Sequence, residues 1–295
     1  MRYLYDLALL YCSAIWGSTF FLVKDTLELV HPVTMVAYRF LIAALLLLPF
    51  VLLKRGVHRY LRESFLLTLL LAPMYVSNAW GLKYTTASNS GFITGLFVVL
   101  VPLFLFLIFR KPVPKAQWAA SAIALSGLWV LTGGINGFNL GDGLSLITAV
   151  TYALHVLLMD RYAKARFDIT VLTFQQMWMT GALCLAAVLL FGFPHVMQSP
   201  LKCTGILIFF AVFPTLSGFY VQMWAQRTVS PVRAALIFAL EPVFAAVFAW
   251  TLGGEPVTGP AIAGGGLIMA ALLFSELSVY CAGSALAPEI KNPPA

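Results

Sequence analysis

Residues 230–250 read SPVRAALIFALEPVFAAVFAW, an apolar run with Glu241 in its middle and Pro242 directly after it. A helix rises about 1.5 Å per residue, so Glu241, about nine residues into its helix, would lie about 13.5 Å from the cytoplasmic start, near the centre of a bilayer about 30 Å thick. An ionised carboxylate is costly at that depth and must be paired or protonated, which makes it functional by default. Pro242 lacks a backbone N–H and breaks or kinks the helix beside it. Two roles fit Glu241 equally: a proton-coupling or substrate-amine site, or a structural carboxylate that locks this helix to a neighbour.

The rest of the chain supports membrane depth. Of its 295 residues, 61% are hydrophobic and 10% charged, with 23 Phe, 7 Trp and 11 Tyr. Soluble domains carry about 45–50% apolar and about 25% charged residues. Too few polar groups remain to clothe a water-facing surface, which excludes soluble enzymes and disulfide scaffolds. The net charge of +7 is not a nucleic-acid signal, because the basic residues sit in short clusters between apolar runs. Cys12 and Cys184 lie inside apolar runs, Cys203 near a segment end and Cys281 in the tail, so no disulfide is expected. The apolar run from Leu4 to Val23 is too long for the core of a cleavable signal peptide and reads as a span.

Ten apolar segments are expected to be helices, at roughly 4–24, 32–53, 65–83, 87–109, 116–134, 142–160, 169–191, 202–224, 231–252 and 257–278. Continuous apolar runs without alternation exclude a β-barrel. One set of alternate connections carries Lys54, Arg55, Arg59, Arg62, Arg110, Lys111, Lys115, Arg161, Lys164, Arg166, Arg227 and Arg233, whereas the other carries Lys24, Lys83 and Lys202. By the positive-inside rule the basic set and both termini are expected in the cytoplasm.

The chain also repeats itself. At an offset of 140, Leu96, Leu100, Pro102 and Phe104 fall over Leu236, Leu240, Pro242 and Phe244. At 137 Arg39 falls over Gln176, at 136 Trp16 falls over Tyr152, and at 144 the Gly/Ala-rich fifth and tenth segments coincide. Five segments per repeat is an odd number, so the second repeat must enter the membrane in the opposite sense. Inverted repeats characterise secondary transporters, where exchange of the two halves' conformations alternates access. The expected units are residues 4–134, residues 142–278 and a disordered tail at 279–295.

Several stretches carry a resemblance: AIWGSTF (Ala14–Phe20), AYRFLIAALLLL (Ala37–Leu48), LKYTTAS (Leu82–Ser88), Pro102, the stretch Ser230–Trp250, GGEP (Gly253–Pro256) and Gly264–Gly266. On these the chain resembles the ten-helix EamA family of the drug/metabolite transporter superfamily, from residue 4 to about 278. The resemblance implies export of small metabolites, often amino acids or xenobiotics, without ATP. It also implies a cavity lined by helices one, three, four, six, eight and nine.

Candidate site residues follow from polarity at depth. Arg39 lies about 10 Å below the outer end of the second segment and differs in depth from Glu241 by about 5 Å, so an ion pair between them, direct or through water, is one reading, and bonding to carbonyls or snorkelling outward the other. Trp16, Tyr75, Asn78, Trp80, Tyr152, His155, Gln175, Gln176, Tyr220, Gln222 and Trp224 lie within segments. Polar side chains there face the bundle interior, and aromatics with few polar groups suit a small organic ligand. Trp16 beside Gly17 is the leading candidate, with Tyr152 as its repeat mate. His155 precedes Asp160 by five residues, about 140° apart on a helix, which disfavours a convergent His–Asp catalytic pair. An intramembrane lipid-modifying enzyme is therefore the weaker alternative. Pro73, Pro102, Pro214 and Pro242, with the G-x-x-x-G pair Gly91 and Gly95, are candidate hinges. No P-loop, metal or cofactor motif is present. The expected partners are a small-molecule substrate, protons as a candidate co-substrate and the lipid of the cell membrane, with the chain acting as a monomer or homodimer.

Overall fold

The computed structural model describes residues 2–19, 22–23, 26–54, 56–134, 138–194, 199–251 and 257–285. Every regular element among them is helical: α1 (Arg2–Gly17), α2 (Pro32–Leu52), α3 (Leu61–Gly81), α4 (Ala87–Gly95), α5 (Phe97–Leu107), α6 (Lys115–Thr132), α7 (Leu140–Lys164) and α8 (Ile169–Phe191). Then come α9 (Pro200–Phe210), a π-helical segment (Ala211–Ser217), α10 (Gly218–Gln226), α11 (Pro231–Phe238), α12 (Glu241–Thr251) and α13 (Gly259–Ala285).

Local chemistry sets many of these boundaries. Pro32, Pro200 and Pro231 open their helices, where the missing N–H is no loss. Thr86, Asn139, Asp168 and Ser230 cap α4, α7, α8 and α11 through side-chain oxygens, satisfying N–H groups that the first turn leaves open. Gly133 and Gly192 end α6 and α8 in the left-handed conformation. Asn139 and Asp142 form a capping box, and the fully buried Asp142 also accepts a 2.5 Å hydrogen bond from Thr85. The connection after α3 is thereby tied to the start of α7.

Among the described residues, six segments have the length and hydropathy to cross a bilayer: Pro32–Leu52, Asn89–Leu107, Leu140–Lys164, Ile169–Phe191, Leu201–Gln226 and Pro231–Phe248, with Gly259–Ser275 a shorter apolar helix. Leu, Phe and Ile side chains such as Leu53, Leu189, Leu190 and Phe191 are exposed on the outside of the bundle, as a lipid-facing surface requires. The chain is a multi-pass membrane protein. Cys12, Cys184 and Cys203 are buried free thiols.

α6 packs along α13, α2 along α8, α3 along α7 and α8, and α1 along α10, α11 and α12. Glycines permit the closest approaches. A Cβ at Gly127 would stand 2.8 Å from the carbonyl of Gly264, and one at Gly264 would stand 2.5 Å from the carbonyl of Gly127. At Gly17 it would come within 2.5 Å of the carbonyl of Glu241.

Several expectations need correcting. α1 ends at Gly17, short of residue 24, and α13 runs past residue 278 to Ala285; Gly253–Pro256 and residues 286–295 lie outside the described residues. Gly91 faces open space, so it makes no close helix contact, whereas Gly95 stands tight against α6, where a Cβ would collide with the Leu128 side chain. Pro102 lies inside the continuous helix α5, and the break falls upstream at Leu96. The second break, at residues 239–240, does sit beside Pro242, whose absent N–H leaves the carbonyl of Phe238 without its helical donor.

Candidate functional site

α1 is joined to the second half of the chain by side-chain bonds to backbone. Ser13 donates to the Ile237 carbonyl at 2.8 Å, Cys12 to the Gly218 carbonyl at 3.4 Å and the Trp16 indole to the Pro214 carbonyl at 2.7 Å. Pro214 lies in the π-helical segment, where the wider turn and the proline together loosen the usual backbone ladder. The indole is held by this bond while its rings meet Tyr152, Phe219 and Phe238 at centroid distances of 6.3, 5.8 and 5.1 Å.

Trp16 and its neighbours enclose a cavity with about 770 Å³ of empty space, including its mouth. Its lining runs from Glu241, Tyr152 and Phe219 through Arg39, Tyr75 and Asn78 towards Val23 and Leu82. It therefore occupies the end of the bundle that carries the connections after α1 and α3. Both halves of the chain contribute, and α2 supplies Met35 and Arg39. Thr94 and Thr148 add hydroxyls.

The charged groups are arranged asymmetrically. Arg39 is 3% exposed; its Nε donates to Thr215 at 2.9 Å, and its guanidinium lies 4.7 Å above the Tyr75 ring and 5.2 Å from that of Phe210. Aromatic faces attract a desolvated cation and hold its plane. Glu241 is half-buried, and no side chain among the described residues hydrogen-bonds or pairs with it. Arg39 and Glu241 form no direct ion pair here; Tyr75 is within electrostatic reach of both. The Tyr152 hydroxyl and the Thr94 hydroxyl, both on the cavity wall, also lack partners. A carboxylate on the chamber wall is thus left without a side-chain partner, and behind it a phenol and a hydroxyl are buried unpaired.

Trp16, Asn78, Tyr152, Arg39 and Glu241 come together on this wall, whereas Trp80, His155, Gln176, Tyr220 and Trp224 do not line it. Trp80 packs against His31 and Phe193 near the start of α2; burial, and then Lys83, hold His31 below its ordinary pKa. His155 is fully buried, with Nε2 3.3 Å from Gln176 Oε1. Asp160 instead accepts from Lys164 at 2.5 Å, so the two ends of the His-x4-Asp string have separate partners. Tyr220 is 37% exposed, because residues 219 and 220 point about 100° apart on a helix and Phe219 takes the inward place. Trp224 packs against Tyr5 with the rings tilted and their centroids 4.7 Å apart. Gln175 is structural, bonding Ser64, Arg59 and Val57.

Sequence reasoning missed Thr19, Met35, Met74, Thr94, Thr148 and Phe219 as lining residues, since small hydroxyls and apolar side chains do not stand out in apolar helices. It also missed Asp6, whose carboxylate pairs with Arg233 at 2.6 Å. This pair and the Tyr5–Trp224 contact join α1 to the second half at the end of the bundle away from the cavity.

The chain is thus a multi-pass helical bundle with a largely apolar chamber, set with a few polar groups, walled by both halves of the chain. The model of the EamA-like transporter family matches residues 4–133 and again 139–277, and the chain belongs to that family. It is similar to an uncharacterized transporter of Archaeoglobus fulgidus, 31% identical over 278 residues, covering 93% of this chain and 86% of the relative. It is also similar to the uncharacterized inner membrane transporter YedA of Escherichia coli K12, 28% identical over 291 residues, with 94% and 93% covered. A solved crystal structure shares the fold, with a TM-score of 0.78, 20% identity and coverage of 96% of this chain and 99% of the other.

Proposed function

We propose that the chain is a secondary or facilitative exporter of small organic metabolites, built as two inverted five-helix repeats that cross the membrane ten times and work by alternating access. The basic connections and both termini face the cytoplasm, so the chamber described above is outward-facing. The observation that carries this reading is the unpartnered carboxylate of Glu241 in a chamber walled by both halves. In this reading the carboxylate takes up a substrate amine or a proton, and aromatic walls hold the organic part.

Helix packing supports the repeat. Numbering the ten segments in chain order, exchanging each with the one five places on turns the contact of one with eight into three with six, one with nine into four with six, and three with seven into two with eight. Each of those contacts is present, and two with seven, four with nine and five with ten map onto themselves.

The decisive experiment is flux in proteoliposomes loaded with a metabolite library, with the transported compound recovered and weighed by mass spectrometry. A compound that crosses chemically unchanged supports the proposal; release of a modified lipid or metabolite would instead favour an enzyme. Repeating the assay with Glu241→Gln under an imposed pH gradient separates the two roles. Loss of pH-driven accumulation with downhill flux retained assigns the proton to Glu241, whereas loss of amine-bearing substrates alone assigns the substrate.

A further inference from the structure

The wall of the outer chamber is built from three short stripes: Trp16, Thr19 and Val23 after and along α1; Met35 and Arg39 on α2; and Tyr75, Asn78 and Leu82 along and after α3. The repeat offsets carry each stripe into the second half. An offset of 136 takes the first to Tyr152, His155 and Met159 on α7, and 137 takes the second to Leu172 and Gln176 on α8. An offset of 144 takes the third to Phe219, Gln222 and Gln226 on α10.

Those mates sit together beneath the chamber. His155 lies 3.3 Å from Gln176 and 5.6 Å, edge to face, from the Phe219 ring, whose other surroundings include the chamber itself. Gln222 donates to Gln226 at 3.1 Å, and Gln226 donates to the Val156 carbonyl at 3.1 Å. His155, Gln176, Gln222 and Gln226 are all fully buried. Nevertheless His155 Nδ1, the amide nitrogen of Gln176 and the amide oxygen of Gln222 have no hydrogen-bond partner. Three orphaned polar atoms in one cluster are costly, and apolar residues of the same volume would fill a permanently dry interior at lower free energy.

We infer that the cluster His155, Gln176, Phe219, Gln222 and Gln226 is the folded-shut lining of the cytoplasmic vestibule, with Phe219 as the plug between it and the chamber. It rests on the alternating-access reading and adds to it the residues of the opposite state. When the cytoplasmic end opens, water and then substrate satisfy the amides and the imidazole, while the mates Thr19, Arg39, Tyr75 and Asn78 close over. The Asp6–Arg233 pair, which joins α1 to α11 at that end, separates in the same movement.

Single cysteines test this: Asn78→Cys for the outer stripe, and Gln222→Cys and His155→Cys for the inner one, each on a different helix so that one misfolded variant leaves the other. Membranes are treated with a charged, membrane-impermeant thiol reagent from one face at a time, with the unaltered chain as background. Asn78→Cys is expected to react about tenfold faster from outside, and the inner pair about tenfold faster from the cytoplasmic face. Phe219→Trp should slow the inner pair alone. If Asn78→Cys reacts from each face in turn while folded Gln222→Cys and His155→Cys react from neither, the vestibule assignment is overturned and alternating access stands. If Asn78→Cys reacts from outside only and the inner pair from neither, alternating access itself fails.

Discussion

The Nε of Arg39 donates to the hydroxyl of Thr215 at 2.9 Å, a bond that joins α2 to the π-helical segment 176 residues away. The geometry leaves the guanidinium plane lying over Tyr75, on the wall of the chamber. An ammonium cannot keep both contacts, since it is a point charge without a plane. Arg39→Lys is therefore expected to lower flux by about tenfold, a loss of about 1.4 kcal/mol, with folding retained. Thr215→Val should produce a smaller loss of flux and a lower melting temperature, read by fluorescence-detected gel filtration after heating.

Gly17 and Gly91 should respond oppositely to the same substitution. A Cβ at Gly17 would press within 2.5 Å of the Glu241 carbonyl, whereas one at Gly91 would meet nothing within 4 Å. Gly17→Ala is expected to destabilise by about 1–3 kcal/mol through overpacking against backbone. Gly91→Ala is expected to be neutral or stabilising by about 0.5–1 kcal/mol, the usual helix gain. Melting temperatures of the two variants in one detergent provide the comparison.

Asp6 and Arg233 approach to 2.6 Å, with side chains 19% and 9% exposed. Asp6→Lys should lower both stability and flux by placing two cations together. Adding Arg233→Asp should recover part of each loss, and a double-mutant cycle should give a coupling of about 0.5–3 kcal/mol. Strict additivity of the two changes would mean that the pair contributes nothing.

Asp168 caps α8 and accepts from Lys54 at 2.9 Å. Burial alone would raise its pKa, but the Lys54 hydrogen bond and the backbone N–H groups of Val171 and Thr170 outweigh that and hold it below its ordinary value. A depressed carboxylate stabilises the fold above its unfolded pKa, about 3.9, and that contribution is lost as the pH falls through the folded value. Lys54 is raised by the same hydrogen bond, so its share is present below its unfolded pKa, about 10.4, and is lost at higher pH. Asp168→Ala should cost about 1 kcal/mol at neutral pH through the lost cap. The gap between wild type and variant should narrow when melting is repeated below about pH 4.

Hydropathy and punctuation made the helices legible. The segment expected at 169–191 coincides with α8, because Asp168 and Gly192 mark its ends. Depth arithmetic put Glu241 and Arg39 within about 5 Å of one level, and Trp16 and Tyr152 were linked to each other through the repeat, since a charge or a large polar ring in an apolar run has few places to go. What could not be read was which face each residue presents. Tyr220 and Phe219 are adjacent in sequence, yet one is exposed and the other lines the chamber, a difference set by helix rotation. Thr215 as the partner of Arg39, and Leu96 rather than Pro102 as the break, likewise depend on tertiary contacts that no local pattern encodes.

The seam between α6 and α13 has a mechanical meaning. Where Gly127 and Gly264 face each other's carbonyls, neither interposes a side chain of its own and Leu267 and Leu131 pack into the space this leaves, so the two backbones run against each other like shafts in a journal bearing. Their backbones are already in contact at that point, so the distance between them cannot shrink. A joint of this kind fixes the separation of the two helices at that level.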